Sequence, residues 1–205
     1  MHKTLLAVIF ILITSVVSSQ EFNAGLYAGF SATQIDGDSY GGYNKPGFSM
    51  GGFVNREVIP KVDGQLGLRY IQKGSRKSTN EQGDGTFSDY KASLHYLEMP
   101  VTARYHHYEK VDFEAGFTVG YIVKAYEEFN KDGAQESTTS FDRFEVGGIA
   151  GINYKLSDNL LAGGFFQYSW LPIRPYNTRP GWLFERGQHN NVLLFTLTYT
   201  IKAFR

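Results

Sequence analysis

VDFEAGFTVGYIVK, residues 111–124, decides the fold. Val111, Phe113, Ala115, Phe117, Val119, Tyr121 and Val123 fall on one side, and Asp112, Glu114, Gly116, Thr118, Gly120 and Lys124 on the other. Alternation of this length predicts a strand with one face in an apolar medium and the other in a polar one. No period near 3.6 residues competes with it, here or elsewhere in the chain.

The same pattern extends in both directions. Toward the N-terminus it predicts strands at 22–33, 47–55, 62–73 and 92–106, and toward the C-terminus at 141–154, 160–171 and 191–202. The connections between them are 34–46, 56–61, 74–91, 107–110, 125–140, 155–159 and 172–190, and these alternate long and short. Long loops on one side and short turns on the other mark an up-and-down barrel of about eight strands crossing an outer membrane. The barrel must close, because a bilayer offers no water to an unpaired strand edge. Both termini then fall on the side of the short turns, the periplasm.

Residues 1–19 read as a secretory signal. His2 and Lys3 start it, an apolar run follows to Val17, and Val17 and Ser19 are the small residues before a cleavage site. The mature domain is then 20–205. Beyond Ser19 no segment reaches the roughly 18 apolar residues that a membrane helix requires. The expected fold is all-β: an eight-stranded antiparallel up-and-down transmembrane barrel after a cleaved signal peptide.

Composition narrows the function. Twenty basic residues balance twenty acidic ones, so no cationic excess exists for nucleic acid. Cysteine is absent, which excludes disulfides, thiolate metal sites, cysteine nucleophiles and an N-terminal lipidated cysteine. The chain is rich in tyrosine (14) and phenylalanine (16), which favour strands and, for tyrosine, membrane interfaces.

Two closed barrels share this pattern. A soluble carrier turns its apolar face inward around a ligand; a membrane barrel turns it outward. The polar faces carry Arg69, Glu98, Arg104, Glu114, Arg143 and Glu145 in mid-strand, mixed with glycine, serine and threonine. Opposite charges in a narrow interior can satisfy one another, so these six are expected to form a charge network plugging the barrel. Pro100 lies inside a predicted strand and cannot donate to a ladder, so a bulge or irregular pairing is expected there.

Leu68-Arg69-Tyr70-Ile71-Gln72-Lys73-Gly74-Ser75 resembles the third-strand motif of the PorT-like outer-membrane β-barrel family. Tyr96-Leu97-Glu98-Met99-Pro100-Val101 resembles that family's next strand, and Glu114-Ala115-Gly116 followed by Gly120-Tyr121 the strand after it. With the signal and a first strand rich in small residues, the likeness covers the mature chain. It implies a small barrel in the outer membrane of Bacteroidota-type bacteria, in a family whose name-giving member is tied to type IX secretion. The sequence departs from the family at Gly67, where an acidic residue is frequent, and at its end, Phe204-Arg205.

No catalytic, cofactor or metal constellation is expected. His106 and His107 fall at a predicted turn, where simple exposure suffices. His95 lies near Ser93 and Asp89, and His189 lies beside Asn190 and Asn191, in residue types common at polar strand ends. Asp36 and Asp38 lack the further spaced oxygen ligands of a calcium cage. Gly147, Gly148 and Gly151 precede no helix that could offer a phosphate its N-terminus. The last long connection is richer: Arg174, Tyr176, Arg179, Trp182, Phe184 and Arg186 suggest a loop that docks on a partner. The expected function is therefore a non-enzymatic barrel with a side-chain-filled interior. It would act structurally or as an interaction subunit of an envelope complex, its partners outer-membrane lipids and other outer-membrane or periplasmic proteins. A lipid-modifying enzyme and a soluble carrier are the alternatives.

Overall fold

The computed structural model describes residues 22–38, 41–77, 90–129, 133–175 and 187–201. Eight long strands form the wall: β1 Asn23–Asp36, β2 Lys45–Ile59, β3 Val62–Lys77, β4 Tyr90–His106, β5 Val111–Phe129, β7 Phe144–Lys155, β8 Leu160–Ser169 and β10 Gly187–Ile201. Two-residue strands, β6 Gln135–Glu136 and β9 Arg174–Pro175, add to the ends of β5 and β10. Each long strand pairs antiparallel with the next, and β1 pairs with β10 from Ala24 opposite Ile201 to Asp36 opposite His189. The ring is closed, so the long strands leave no open edge.

Sidedness separates the two barrel readings. Leu26, Phe30, Leu68, Phe144 and Leu197 are more than half exposed, while Arg69, Glu98, Arg104, Glu114 and Glu145 are buried. A water-soluble protein has the opposite arrangement. The apolar face points outward, which overturns the soluble-carrier alternative. Among the described residues no helix is long and apolar enough to cross a membrane; the strands do the crossing.

Six of the eight long strands run further toward the long-loop end than the sequence pattern suggests, while β7 and β8 stop two or three residues short of it. β1 continues to Asp36, β3 to Lys77 and β5 to Phe129, while β4 begins at Tyr90 and β10 at Gly187. The reason is a change of medium. In this upper part the buried positions become apolar, with Ile35, Ile71, Ala92, Leu94, Ile122, Ala125, Val192 and Leu194 packed inside. Outward positions there include Arg76 and Lys91, so the alternation inverts and no longer reads as a lipid-facing strand. At the other end the turns are tight: β2 and β3 are joined by Pro60 and Lys61 alone, with Lys61 at φ 68°.

Pro100 interrupts one ladder without shifting it. β3 and β4 pair Leu66 with Val101 and resume with Arg69 opposite Glu98, so the pairing lapses at Gly67 and Leu68 while the register is kept. The irregularity is where a missing N–H puts it, but it is not a bulge. Gly67 makes room for the ring, since a Cβ there would lie 2.9 Å from Pro100 Cγ. Register shifts lie elsewhere: between β2 and β3 at Val58, and between β4 and β5, where His95 opposes Lys124 and Tyr96 opposes Ile122, leaving Val123 extra. Val123 and Lys124 are both exposed, and the alternation restarts with Ala125 and Glu127 inside.

Gly74 marks where β3 bends over the apolar plug. Its φ is +135°, and a Cβ would come within 2.0 Å of the Ala92 carbonyl oxygen. Only glycine is comfortable in that region of backbone space. Gly74→Ala is expected to cost about 1–3 kcal/mol, read as a lower urea midpoint for the vesicle-inserted protein; an unchanged midpoint would show that the bend relaxes freely.

Candidate functional site

In the middle of the barrel six buried charged residues gather into two nodes. The first centres on Glu98, carried inward by β4. Its carboxylate meets the Arg69 guanidinium at 2.7 Å, the Lys73 ammonium, and the Gln167 amide at 2.9 Å. Lys73 also reaches Glu145 on β7 at 2.6 Å, and Asn190 Nδ2 donates to the second Glu145 oxygen at 2.7 Å. Arg69 donates in addition to Gln167, and Lys73 lies 4.8 Å from the centre of the Tyr96 ring. The second node centres on Glu114 of β5. It accepts hydrogen bonds from Gln65 at 3.0 Å, Thr102 at 2.8 Å, Arg104 at 3.1 Å and Asn153 at 2.9 Å.

Burying ions is costly unless partners satisfy them, and removing one partner strands the other. Here each carboxylate has several donors, and three buried cations (Arg69, Lys73, Arg104) face three buried carboxylates (Glu98, Glu114, Glu145). Five of the six residues expected in the interior are therefore inside and connected. Arg143 is not. It precedes β7, is exposed, and donates to the Tyr121 hydroxyl at 2.9 Å on the outer surface. Strand alternation does not extend to a residue in the bend before the strand, and the counterion expected of Arg143 is supplied by Lys73.

Lys73 and Gln167 share inward faces with Arg69 and Ser169 by simple alternation, so the pattern holds the signal that places them. Asn190 sat in a predicted loop, and only the extension of β10 brings it inward.

Polar groups also seal the short-turn end. Asp112, fully buried, meets His106 at 2.9 Å and Lys155 at 3.2 Å, and His106 bridges to Asp63 at 3.0 Å. His106 is thus hydrogen-bonded to Asp63 and lies beside the Asp112 carboxylate rather than freely exposed in a turn; His107 stays outside, packed edge-on to Tyr108. At the other end the apolar plug lies beneath Glu127, which accepts from Tyr90 and Arg174 at 2.8 Å each, with Arg174 over the Phe141 ring at 3.9 Å. Between the plug and the Glu114 node remains a cavity of about 30 Å³, room for a water molecule.

The other candidates have structural partners. His95 bonds Tyr70 on the outer surface, with Ser93 on the same outward side and Asp89 outside the described residues. His189 is buried, 3.0 Å from the Ser169 carbonyl oxygen. Asp36 accepts from Gln34 and Asn191. Among the described residues no group of three or more histidines and carboxylates could hold a metal. Of the expected docking loop only Arg174 is described; Tyr176, Arg179, Trp182, Phe184 and Arg186 lie outside the described residues.

A closed antiparallel ring, apolar without and charged within, defines an outer-membrane β-barrel. Residues 18–173 match the outer membrane protein beta-barrel domain family, and the chain belongs to that family. It is similar in fold to Ail, the attachment invasion locus protein of Yersinia pestis, at 13% identity and a TM-score of 0.50, over 88% of this chain and 99% of Ail. Ail in complex with the heparin analogue sucrose octasulfate gives 12% identity and the same TM-score and coverage. Neisserial surface protein A is similar over 87% of this chain and 96% of its own, at 14% identity and a TM-score of 0.48. No curated protein matches the chain.

Proposed function

We propose that the chain is a non-enzymatic, non-conducting barrel that serves as an interaction subunit of an envelope complex. Its leader is cut after Ser19, and both termini of the mature domain lie in the periplasm. The observation that carries this reading is the filled interior. Among the described residues, ion-pair nodes and an apolar plug occupy the axis with a water-sized space between the plug and the Glu114 node, and polar groups line the short-turn end. An eight-stranded wall encloses little more than its own side chains. Its contribution then lies on its rims and outer surface.

The motifs that resemble PorT-like barrels contain Arg69, Lys73, Glu98 and Glu114 of the filled interior, and a secretion-related complex is the setting that this resemblance implies. The loop bearing Tyr176, Arg179, Trp182, Phe184 and Arg186 is the proposed contact for another outer-membrane or periplasmic protein. Arg174 anchors its base through Glu127.

In planar bilayers the purified barrel is expected to give no stable open level, and a large steady conductance would overturn the sealed interior. In mild detergent, proteins that co-purify with the wild type are expected to be lost from a Trp182→Ala/Phe184→Ala variant. An unchanged set would remove the loop as the contact.

A further inference from the structure

Beyond Ser49 and Ile71, their last paired residues, β2 and β3 part. Hydroxyls of β1 take the freed carbonyls of β3: Ser31 donates to Gln72 O at 2.8 Å and Thr33 to Gly74 O at 2.8 Å. Pro46 on β2 has no N–H to restore the ladder. The parted strands leave a cleft of about 390 Å³ at the long-loop end, lined in part by Lys45, Gln72, Arg76, Lys91, Ser93 and His95.

The cleft carries positive charge that the carboxylates among the described residues answer only in part. Arg76 and Lys91 are direct cross-strand partners, an arrangement in which like charges repel. Both also repel Lys45, whose ammonium finds the Pro46 carbonyl at 3.0 Å but no carboxylate among the described residues. Lys91 has Glu128 at 3.7 Å, a loose pair, and Arg76 has no ion pair among the described residues. An anion seated between them would turn the repulsion into attraction, and phosphate suits a guanidinium beside ammonium groups.

Position identifies the source of the anion. Tyr70 connects the cleft to the outward apolar face: its ring packs on Phe48 at 5.2 Å and on His95 at 5.9 Å, and His95 packs on Tyr126. Aromatic belts of this kind mark the level of lipid headgroups. Phe48, Met50 and Leu68 continue the exposed apolar surface below. A molecule with phosphate above and acyl chains below fits both surfaces; a free phosphate uses only one. We propose that this cleft binds the phosphate of a phosphorylated glycolipid of the outer leaflet, lipid A. The inference rests on the orientation given above, with the long loops outside the cell.

The folded protein in micelles, wild type and Arg76→Gln/Lys91→Gln, is titrated with bisphosphorylated lipid A, fully dephosphorylated lipid A and inorganic phosphate, and binding is read by native mass spectrometry. Both substitutions lie on the outer face away from the interior nodes, and a single Arg76→Gln serves if the double variant does not fold. Lipid A is expected to bind the wild type, with binding weakened about tenfold or more by dephosphorylation or by the double variant. Inorganic phosphate is expected not to compete at equal concentration. Equal binding of the dephosphorylated lipid, unchanged affinity of the variants, or phosphate binding as tightly as lipid A would each overturn the proposal. Orientation is read separately, from protection of a C-terminal tag against protease in intact cells. Digestion of the tag would refute the orientation, a result independent of the titration in micelles.

Discussion

Glu98→Ala is expected to destabilise the vesicle-inserted barrel by about 3–5 kcal/mol, the largest effect of any single substitution considered. The carboxylate is fully buried and answers Arg69, Lys73 and Gln167 together. Its loss leaves the Arg69 guanidinium without its ion-pair partner among the described residues and the Lys73 ammonium with Glu145 alone. The measurement is equilibrium urea unfolding, followed by heat-modifiable gel migration and tryptophan fluorescence. Pairing Glu98→Gln with Arg69→Gln should cost less than the sum of the two single changes, since the second removes the charge that the first strands. A Glu98→Ala variant as stable as the wild type would show that the nodes do not hold the interior together.

The second large effect concerns the outer face. Leu68 is 56% exposed and lies midway along β3, where the wall would cross the centre of the bilayer. Leu68→Arg is expected to cost about 2–4 kcal/mol in phospholipid vesicles. Tyr108→Arg serves as the control: Tyr108 is equally exposed, but it lies in the turn between β4 and β5, and a charge near the interface costs about 0–1 kcal/mol. Equal costs at the two positions would mean that no hydrocarbon surrounds the barrel at the level of Leu68.

The alternation in residues 111–123 survives intact because lipid outside and paired ions inside impose a strict two-residue period on β5. The same physics made Arg69, Glu98, Arg104, Glu114 and Glu145 readable as a set. Legibility failed where the medium changes. Above the membrane level, apolar side chains such as Ile35 and Ala125 turn inward and polar ones outward, so strand ends looked like loops. It failed again at Arg143, where a bend ends the alternation, and at His106, whose partners Asp63 and Asp112 come from other strands. The cleft between β2 and β3 was not readable at all. It depends on hydroxyl bonds that skip a strand, and adjacent-residue patterns carry no trace of them.

The distribution of the buried ions also bears on the order of assembly. β3, β4 and β5 together bring Arg69, Lys73 and Arg104 inward against Glu98 and Glu114, and the missing negative charge arrives with Glu145 on β7, 72 residues beyond Lys73. A growing sheet that stops at β5 therefore leaves the Arg69 guanidinium and the Lys73 ammonium to share the Glu98 carboxylate on its concave side. Such a half-built wall has reason to stay hydrated there, so the last strands must dock before the lumen can dry.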